Sequence, residues 1–106
     1  MNRTLSSTEL KALLARSEVL LLDVRRRAAY EVDSVMLPGA AWRDPEEVAQ
    51  WSAVLPKDKE IVVYCIHGHA VSNAVIDHLH QSGLRARYLE GGIEEWKESG
   101  GATVGK

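Results

Sequence analysis

The chain has 106 residues, enough for one compact domain, and 45% of them are hydrophobic, so a core can form without disulfides or a structural metal. The 13 basic and 15 acidic residues are mixed along the chain and give a net charge of -2, which argues against a nucleic-acid or acidic-membrane binder. A single cysteine excludes an internal disulfide and a cysteine-rich metal site, and favours a reducing, cytoplasmic setting.

Helix and strand signals alternate along the chain. Ser6 and Glu9 form a capping-box pattern at the start of the first helix. The apolar run over 19–24 predicts a strand buried on both faces, which is typical of a parallel sheet covered by helices. In chain order the pattern predicts a helix over 6–16, strand 19–24, helix 26–32, strand 35–37, helix 44–55, strand 61–65, helix 71–81, strand 85–89 and a closing helix containing Ile93 and Trp96.

This alternation predicts an α/β fold, in which a mostly parallel central sheet lies between layers of helices. We expect a single domain over residues 1–106, with a frayed tail over about 101–106 because that segment has no core-forming pattern. No signal peptide or membrane span is expected, since the longest apolar stretch is far too short. Ligands of such sheets bind beyond the carboxyl ends of strands, where Cys65 is placed.

The loop after the strand at 61–65 carries the most reactive side chain. Cys65 is followed by a short loop containing Gly68 and then by a predicted helix. Backbone N–H groups of such a loop can converge on an anion, and the helix N-terminus adds partial positive charge. Both features favour the thiolate, which is the nucleophilic form of cysteine. The alternative is that Cys65 simply fills the end of a buried strand, as free cysteines often do.

Two histidines, His67 and His69, flank the glycine of this loop. A metal site is not predicted here, because no third ligand lies nearby in the sequence. We interpret both as rim residues whose partial positive charge attracts anionic substrates or assists proton transfer. Passive, solvent-exposed histidines are the alternative.

A second polar group follows the first buried strand. Asp23 is predicted to have a structural role, accepting N–H bonds from a neighbouring loop, because a buried carboxylate needs partners. A place in the site itself is the alternative. Of the arginines at 25, 26 and 27, at least two are predicted to be the solvated start of a helix.

Together, several segments resemble the single-domain rhodanese family of thiosulfate sulfurtransferases over essentially the whole chain. In order, they are Leu21–Arg25 with Tyr30-Glu31, Leu37–Ala40, Val63–His69 and Tyr88–Trp96. The Cys-x-His-Gly pattern in the loop resembles the bacterial glycerol-operon type. The resemblance implies a rhodanese-like three-layer sandwich.

The resemblance also implies a ping-pong sulfurtransferase that needs no metal or cofactor. Sulfur from thiosulfate or a persulfide donor would pass to Cys65, giving a persulfide, and then to cyanide or a thiol. The expected partners are a small anionic donor and a thiophilic acceptor, which can be a sulfur-accepting protein, but neither nucleic acid nor membrane. The implied residues are Cys65 as nucleophile, a substrate-binding loop of Ile66, His67, Gly68, His69, Ala70 and Val71, and supporting Asp23 and Arg25.

The loop departs from the family pattern in its charge. Many members carry arginine directly after the cysteine and again late in the loop, where this chain has Ile66 and Ala70. Anion recognition is then left to backbone N–H groups, the helix end and the two histidines. A non-catalytic partner-binding or sensing module is an alternative, although such modules have usually lost the cysteine. A phosphatase or arsenate reductase relative is disfavoured because Val71 stands where its Cys-x5-Arg loop needs arginine.

Overall fold

The computed structural model describes residues 3–16, 19–68 and 70–106. Helices and strands alternate through this part of the chain, as the sequence predicts. In chain order the elements are β1 (Thr4–Leu5), α1 (Ser7–Arg16), β2 (Val19–Asp23), α2 (Arg27–Val32), β3 (Val35–Met36), β4 (Ala41–Trp42), a 3-10 turn (Pro45–Glu47), α3 (Val48–Ser52), β5 (Glu60–Tyr64), α4 (Ala70–Gln81), β6 (Arg85–Leu89), α5 (Gly92–Glu98) and β7 (Val104–Gly105).

The central sheet in the described ranges has five parallel strands in the order β1-β6-β5-β2-β4. Strands β2 and β5 lie side by side near its centre, with Asp23 opposite Tyr64. Beyond this pair, the Val24 N–H donates to the Tyr64 carbonyl over 2.9 Å. The segments that follow the two strands therefore leave the sheet at the same edge.

Helices cover the two faces of this sheet and divide the core in two. Since side chains alternate along a strand, Leu21 and Val62 face one helix layer, whereas Leu22 and Val63 face the other. The first face packs against buried residues of α1 and α5, and the second against α3 and α4. The helical residues at these faces include Leu10, Leu13, Leu14, Ile93 and Trp96 on the first, and Val48, Trp51, Val71, Val75, Ile76 and Leu79 on the second. The predicted three-layer α/β class is confirmed.

The predicted helix starts are also present. Ser6 and Glu9 bond reciprocally, the Ser6 N–H to the Glu9 carboxylate and the Glu9 N–H to the Ser6 hydroxyl, both over 3.1 Å. The Asp44 carboxylate accepts the Glu46 N–H over 3.0 Å. Such bonds satisfy donors that the first helical turn leaves open.

The structure differs from the sequence prediction at its edges. Strands β1 and β4 were not predicted, because two residues are too few to show a period. The tail over 101–106 is not frayed as predicted, since β7 pairs antiparallel with β3, and Trp96 donates its indole N–H to the Ala102 carbonyl over 2.8 Å. Backbone pairing orders this segment although its side chains add little to the core. No helix of the described ranges is long and apolar enough to cross a membrane.

Candidate active site

Cys65 is the first residue after β5, and it begins a tight loop leading to α4. Its Sγ accepts a hydrogen bond from the Gly68 N–H over 3.2 Å. The residue is only 6% exposed, yet it lines a surface cavity. The sulfur is therefore near solvent and polarised by a loop amide. His69, the other predicted rim histidine, lies outside the described residues.

Glycine at position 68 is required by the loop's shape. Gly68 has φ +72°, and a Cβ there would lie 2.8 Å from the Leu89 carbonyl oxygen and 3.0 Å from the Gly91 nitrogen. Any side chain would thus combine a strained backbone with contact against the turn after β6. The glycine lets this loop close tightly enough for its amide to reach Sγ.

The start of α5 holds the other side of the loop. The Ile93 N–H donates to the Cys65 carbonyl over 2.9 Å, and the Glu94 N–H donates to the Ile66 carbonyl over 3.1 Å. Because N–H and C=O point in opposite directions across a trans peptide, the amides that follow these carbonyls point away from α5. Gly92 makes this approach possible, since a Cβ there would lie 2.4 Å from both carbonyl oxygens.

The cavity at Cys65 has a volume of about 260 Å³. It brings together several of the residues that the sequence predicts for the site. Gly68 is not in the lining, but its N–H donates to the Cys65 sulfur. Its lining residues are Arg25, Arg26, Ala29, Cys65, Ile66, His67, Ala70 and Val71. His67, one of the two predicted rim histidines, is exposed and lines this cavity.

Arg26 and Ala29 of this lining were not predicted as site residues. They reach the cavity because α2 follows β2, the strand beside β5. Tyr30 stacks on Trp42 with ring centroids 4.9 Å apart, and the Trp42 indole N–H donates to the Arg25 carbonyl over 2.8 Å, which fixes this segment. The sequence signal that could have indicated these two residues is that neighbouring parallel strands end at the same sheet edge, so the segments after β2 and β5 lie close together.

Asp23 is fully buried within a network of hydrogen bonds. Its carboxylate accepts bonds from the Arg25 backbone N–H over 3.0 Å, from the Arg25 guanidinium down to 2.7 Å, and from the Tyr64 hydroxyl over 3.1 Å. Arg25 also pairs with Asp33 over 2.8 Å. Each of these polar side chains has at least one hydrogen-bond partner, as buried polar groups require.

The charges of this network shift the pKa of two members. Burial opposes the charged form of Arg25, but the hydrogen bond and charge of Asp23 outweigh it and raise the pKa of the guanidinium. Burial also raises the pKa of Tyr64, and the neighbouring negative charge of Asp23 adds to this. Arg25 is thus a permanently charged residue held inside the fold, while Arg26 and Arg27 are exposed as predicted for two of the three arginines.

Within the described ranges, no group of three or more His, Cys, Asp or Glu residues is placed to hold a metal ion.

Comparison with known proteins identifies the family. The model of the rhodanese-like domain matches residues 6–99. The thiosulfate sulfurtransferase GlpE of Coxiella burnetii is 31% identical over 98 residues, which cover 92% of this chain and 89% of the relative. The tRNA uridine(34) hydroxylase of Erwinia tasmaniensis is 30% identical over 96 residues, covering 87% of this chain but 27% of that protein.

Solved structures agree with this result. A rhodanese-related protein from Thermoplasma volcanium superposes with a TM-score of 0.84 at 27% identity, covering 96% of this chain and 97% of the other. The chain belongs to the rhodanese-like domain family, as its sequence motifs predict.

Proposed function

We propose that this protein is a sulfurtransferase that carries sulfane sulfur as a persulfide on Cys65. Thiosulfate or a persulfide is the donor, and cyanide or a thiol is the acceptor. The observation that carries the proposal is the position of Cys65, whose sulfur accepts the Gly68 N–H over 3.2 Å while the residue lines an open cavity. A backbone N–H that donates to the Cys65 sulfur stabilises the thiolate, which is the nucleophile of the first half-reaction.

In the first half-reaction, the Cys65 thiolate forms a bond to the outer sulfur of thiosulfate. The bond between the two sulfur atoms of thiosulfate breaks, and its electron pair leaves with sulfite. The Cys65 persulfide keeps one negative charge, which the loop amides hold. The loop residues Ile66, His67, Gly68, His69, Ala70 and Val71 are the proposed substrate-binding residues.

In the second half-reaction, the acceptor takes the outer sulfur and the Cys65 thiolate is restored. The chain has no second cysteine, so the acceptor must be another molecule. A small thiol, cyanide or the thiol of another protein meets this need. Because the cycle requires a reduced thiol, a reducing cytoplasmic setting is part of the proposal. In this proposal Asp23 and Arg25 support the site through their buried ion pair.

Similarity to a protein named thiosulfate sulfurtransferase over 92% of the chain supports this function. A non-catalytic binding module would have no need for the thiol or for the amide bonded to it. A phosphatase of related fold needs an arginine to hold a phosphate oxyanion, and position 71 is valine.

The direct test follows sulfur through the two half-reactions. The protein is incubated with thiosulfate, and intact-mass spectrometry is expected to show a gain of one sulfur atom. Cyanide is then added, and thiocyanate should form in equal amount as the mass returns. Cys65→Ser is the matched control and should do neither. If the wild-type protein gains no sulfur from thiosulfate or from glutathione persulfide, the proposed function is wrong.

A further inference from the structure

An anionic sulfur donor needs a positive partner in the Cys65 cavity, and the loop after β5 contains no arginine or lysine. Three residues that line the cavity can carry positive charge, namely Arg25, Arg26 and His67. A histidine side chain is only partly charged near neutral pH. The two arginines are always charged, so the question is which of them is available to a ligand.

Arg25 is committed to the fold. Its side chain is 1% exposed, and its guanidinium binds Asp23 over 2.7 Å and Asp33 over 2.8 Å. It also donates to the Val35 carbonyl over 3.1 Å. Two carboxylates neutralise its charge and occupy its donors, so Arg25 contributes shape to the cavity but little attraction for an anion.

Arg26 has the opposite surroundings. It is exposed, and among the described residues its guanidinium forms no hydrogen bond or ion pair. The next residue, Arg27, is also exposed, but its guanidinium lies 3.5 Å from the Asp44 carboxylate and over the Trp42 ring. Of two neighbouring exposed arginines, the one that lines the Cys65 cavity is the one without a protein partner in the described part of the chain.

The side chain of Arg26 has no role in starting α2. Its backbone is extended, with φ -59° and ψ 150°, and its carbonyl accepts the Tyr30 N–H over 2.9 Å. No side-chain cap is formed, and arginine is not among the residues that cap helices. Its backbone carbonyl takes part in the first turn of α2, while its side chain is not used as a helix cap.

Arg26 also lines a smaller adjoining cavity of about 160 Å³, which shares Ala70 and Val71 with the first. Glu46 is the acidic residue among the described residues that line the two cavities. It is exposed and forms no ion pair with Arg26 in the described ranges. An incoming anion therefore competes for Arg26 with one carboxylate, that of the solvent-exposed Glu46.

We propose that Arg26 binds the anionic end of the sulfur donor, in place of a cation within the loop. This inference rests on the proposed function. With thiosulfate, Arg26 holds the sulfonate oxygens while the Cys65 thiolate bonds to the outer sulfur. The sulfur–sulfur bond of thiosulfate breaks, and its electron pair stays on sulfite, whose oxygens Arg26 still holds. The persulfide remains on Cys65, so atoms and charge balance.

The test compares Arg26→Gln with Arg27→Gln, since each removes one exposed positive charge from the same segment. Thiocyanate production is measured over ranges of thiosulfate and cyanide. For Arg26→Gln we expect kcat/KM for thiosulfate to fall about 10- to 100-fold, the usual effect of losing one charge-assisted bond. The KM for cyanide should be unchanged. Arg27→Gln should stay within about 3-fold of wild type, and Arg26→Lys should recover most of the loss.

Three further measurements separate ligand binding from folding. Product inhibition by sulfite should weaken in Arg26→Gln by a factor similar to that for thiosulfate. The fall of kcat/KM with ionic strength should become shallower, because a charge that attracts the donor is gone. Thermal unfolding of both variants should match wild type within about 3 °C.

The results distinguish this inference from the proposed function. If the wild-type protein forms no persulfide from any donor, the proposed function fails. If the wild-type protein uses thiosulfate and both glutamine variants lose the same activity, Arg26 is not the donor-binding residue. Turnover of wild type with a persulfide donor but not with thiosulfate would also overturn the role of Arg26, while sulfur transfer itself would stand.

Discussion

Strands β2 and β5 are neighbours in the sheet and end at the same edge, but the segments that follow them differ in what they do with charge. At the end of β2, the last strand residue Asp23 and the nearby Arg25 are buried and bound to each other over 2.7 Å. After β5, Cys65 is also mostly buried, yet its sulfur has a loop amide on one side and a cavity on the other. The charged groups at the end of β2 bind each other, whereas the sulfur at the end of β5 remains available to a ligand.

This difference shows how one sheet edge can combine stability and reactivity. A buried ion pair is tolerated only when its members satisfy each other, so the β2 end gains a fixed shape and no spare binding capacity. A thiol costs little to bury and can remain poised for a ligand. Five measurements test this contrast between the two strand ends.

The largest effect is expected at the sulfur. Cys65→Ser should abolish thiocyanate production, because a serine hydroxyl cannot form the persulfide. The hydroxyl can still accept the Gly68 N–H, so the free energy of unfolding should change by less than about 1 kcal/mol. Urea denaturation and the thiocyanate assay check the two halves. Residual sulfur transfer in this variant would place the nucleophile elsewhere.

At the end of β2, by contrast, a substitution should mainly lower the stability of the fold. Asp23→Asn leaves the Arg25 charge buried with Asp33 as its remaining carboxylate, and we expect about 3 kcal/mol of destabilisation. Asp33→Asn is the control, and should cost less because Asp33 is partly exposed. Urea denaturation measures both. Equal losses would mean that the buried pair is not the main contributor.

The support of the β5 loop by α5 can be broken at Gly92. An added Cβ would meet two backbone oxygens at 2.4 Å, so Gly92→Ala should cost about 2 kcal/mol and lower sulfur transfer about 10-fold by moving the loop. Gly100→Ala is the matched control, since its φ is +82° but nothing lies within 4 Å. If both variants transfer sulfur equally well, α5 does not position the loop.

Acid should weaken the β2 end. Burial raises the pKa of Asp33, but hydrogen bonds from Lys97, the Val35 N–H and Arg25 outweigh it and hold the pKa below its usual range. A lowered pKa stabilises the fold above the unfolded value, and the gain is lost as pH falls through the folded value. As the pH falls below about 4, the free energy of unfolding of the wild-type protein should therefore decrease by up to about 1 kcal/mol more than that of Asp33→Asn. Parallel acid curves would exclude this contribution.

The smallest effect is expected at Ser72, on the helix that follows the site loop. Its side chain is buried and its Oγ has no hydrogen-bond partner among the described residues. Because no bond is lost, Ser72→Ala should change the free energy of unfolding by no more than about 0.5 kcal/mol. Thermal unfolding checks this. If Ser72→Ala lost as much free energy of unfolding as Asp23→Asn, hydrogen-bond pairing would not explain the different contributions of Ser72 and Asp23.

The sequence predicts the central strands and the long helices because their patterns are strong and local. The apolar runs of β2 and β5 and the capping box at Ser6 belong to this class. The short strands β1, β4 and β7 could not be predicted, because their two-residue pairings depend on partners far away in the chain. For the same reason the tail was expected to fray, although β7 pairs with β3.

By itself, the sequence determined the fold class, the family and the position of the one thiol at a strand end, since periodicity and motif spacing are local properties. The tertiary structure decided which charges face that thiol. Arg25 and Arg26 are adjacent and look alike in sequence, but one is buried between two carboxylates and the other lies exposed at the cavity. The pairing of Arg25 with Asp23 and Asp33 separates them, because burial and pairing depend on residues brought together by the fold.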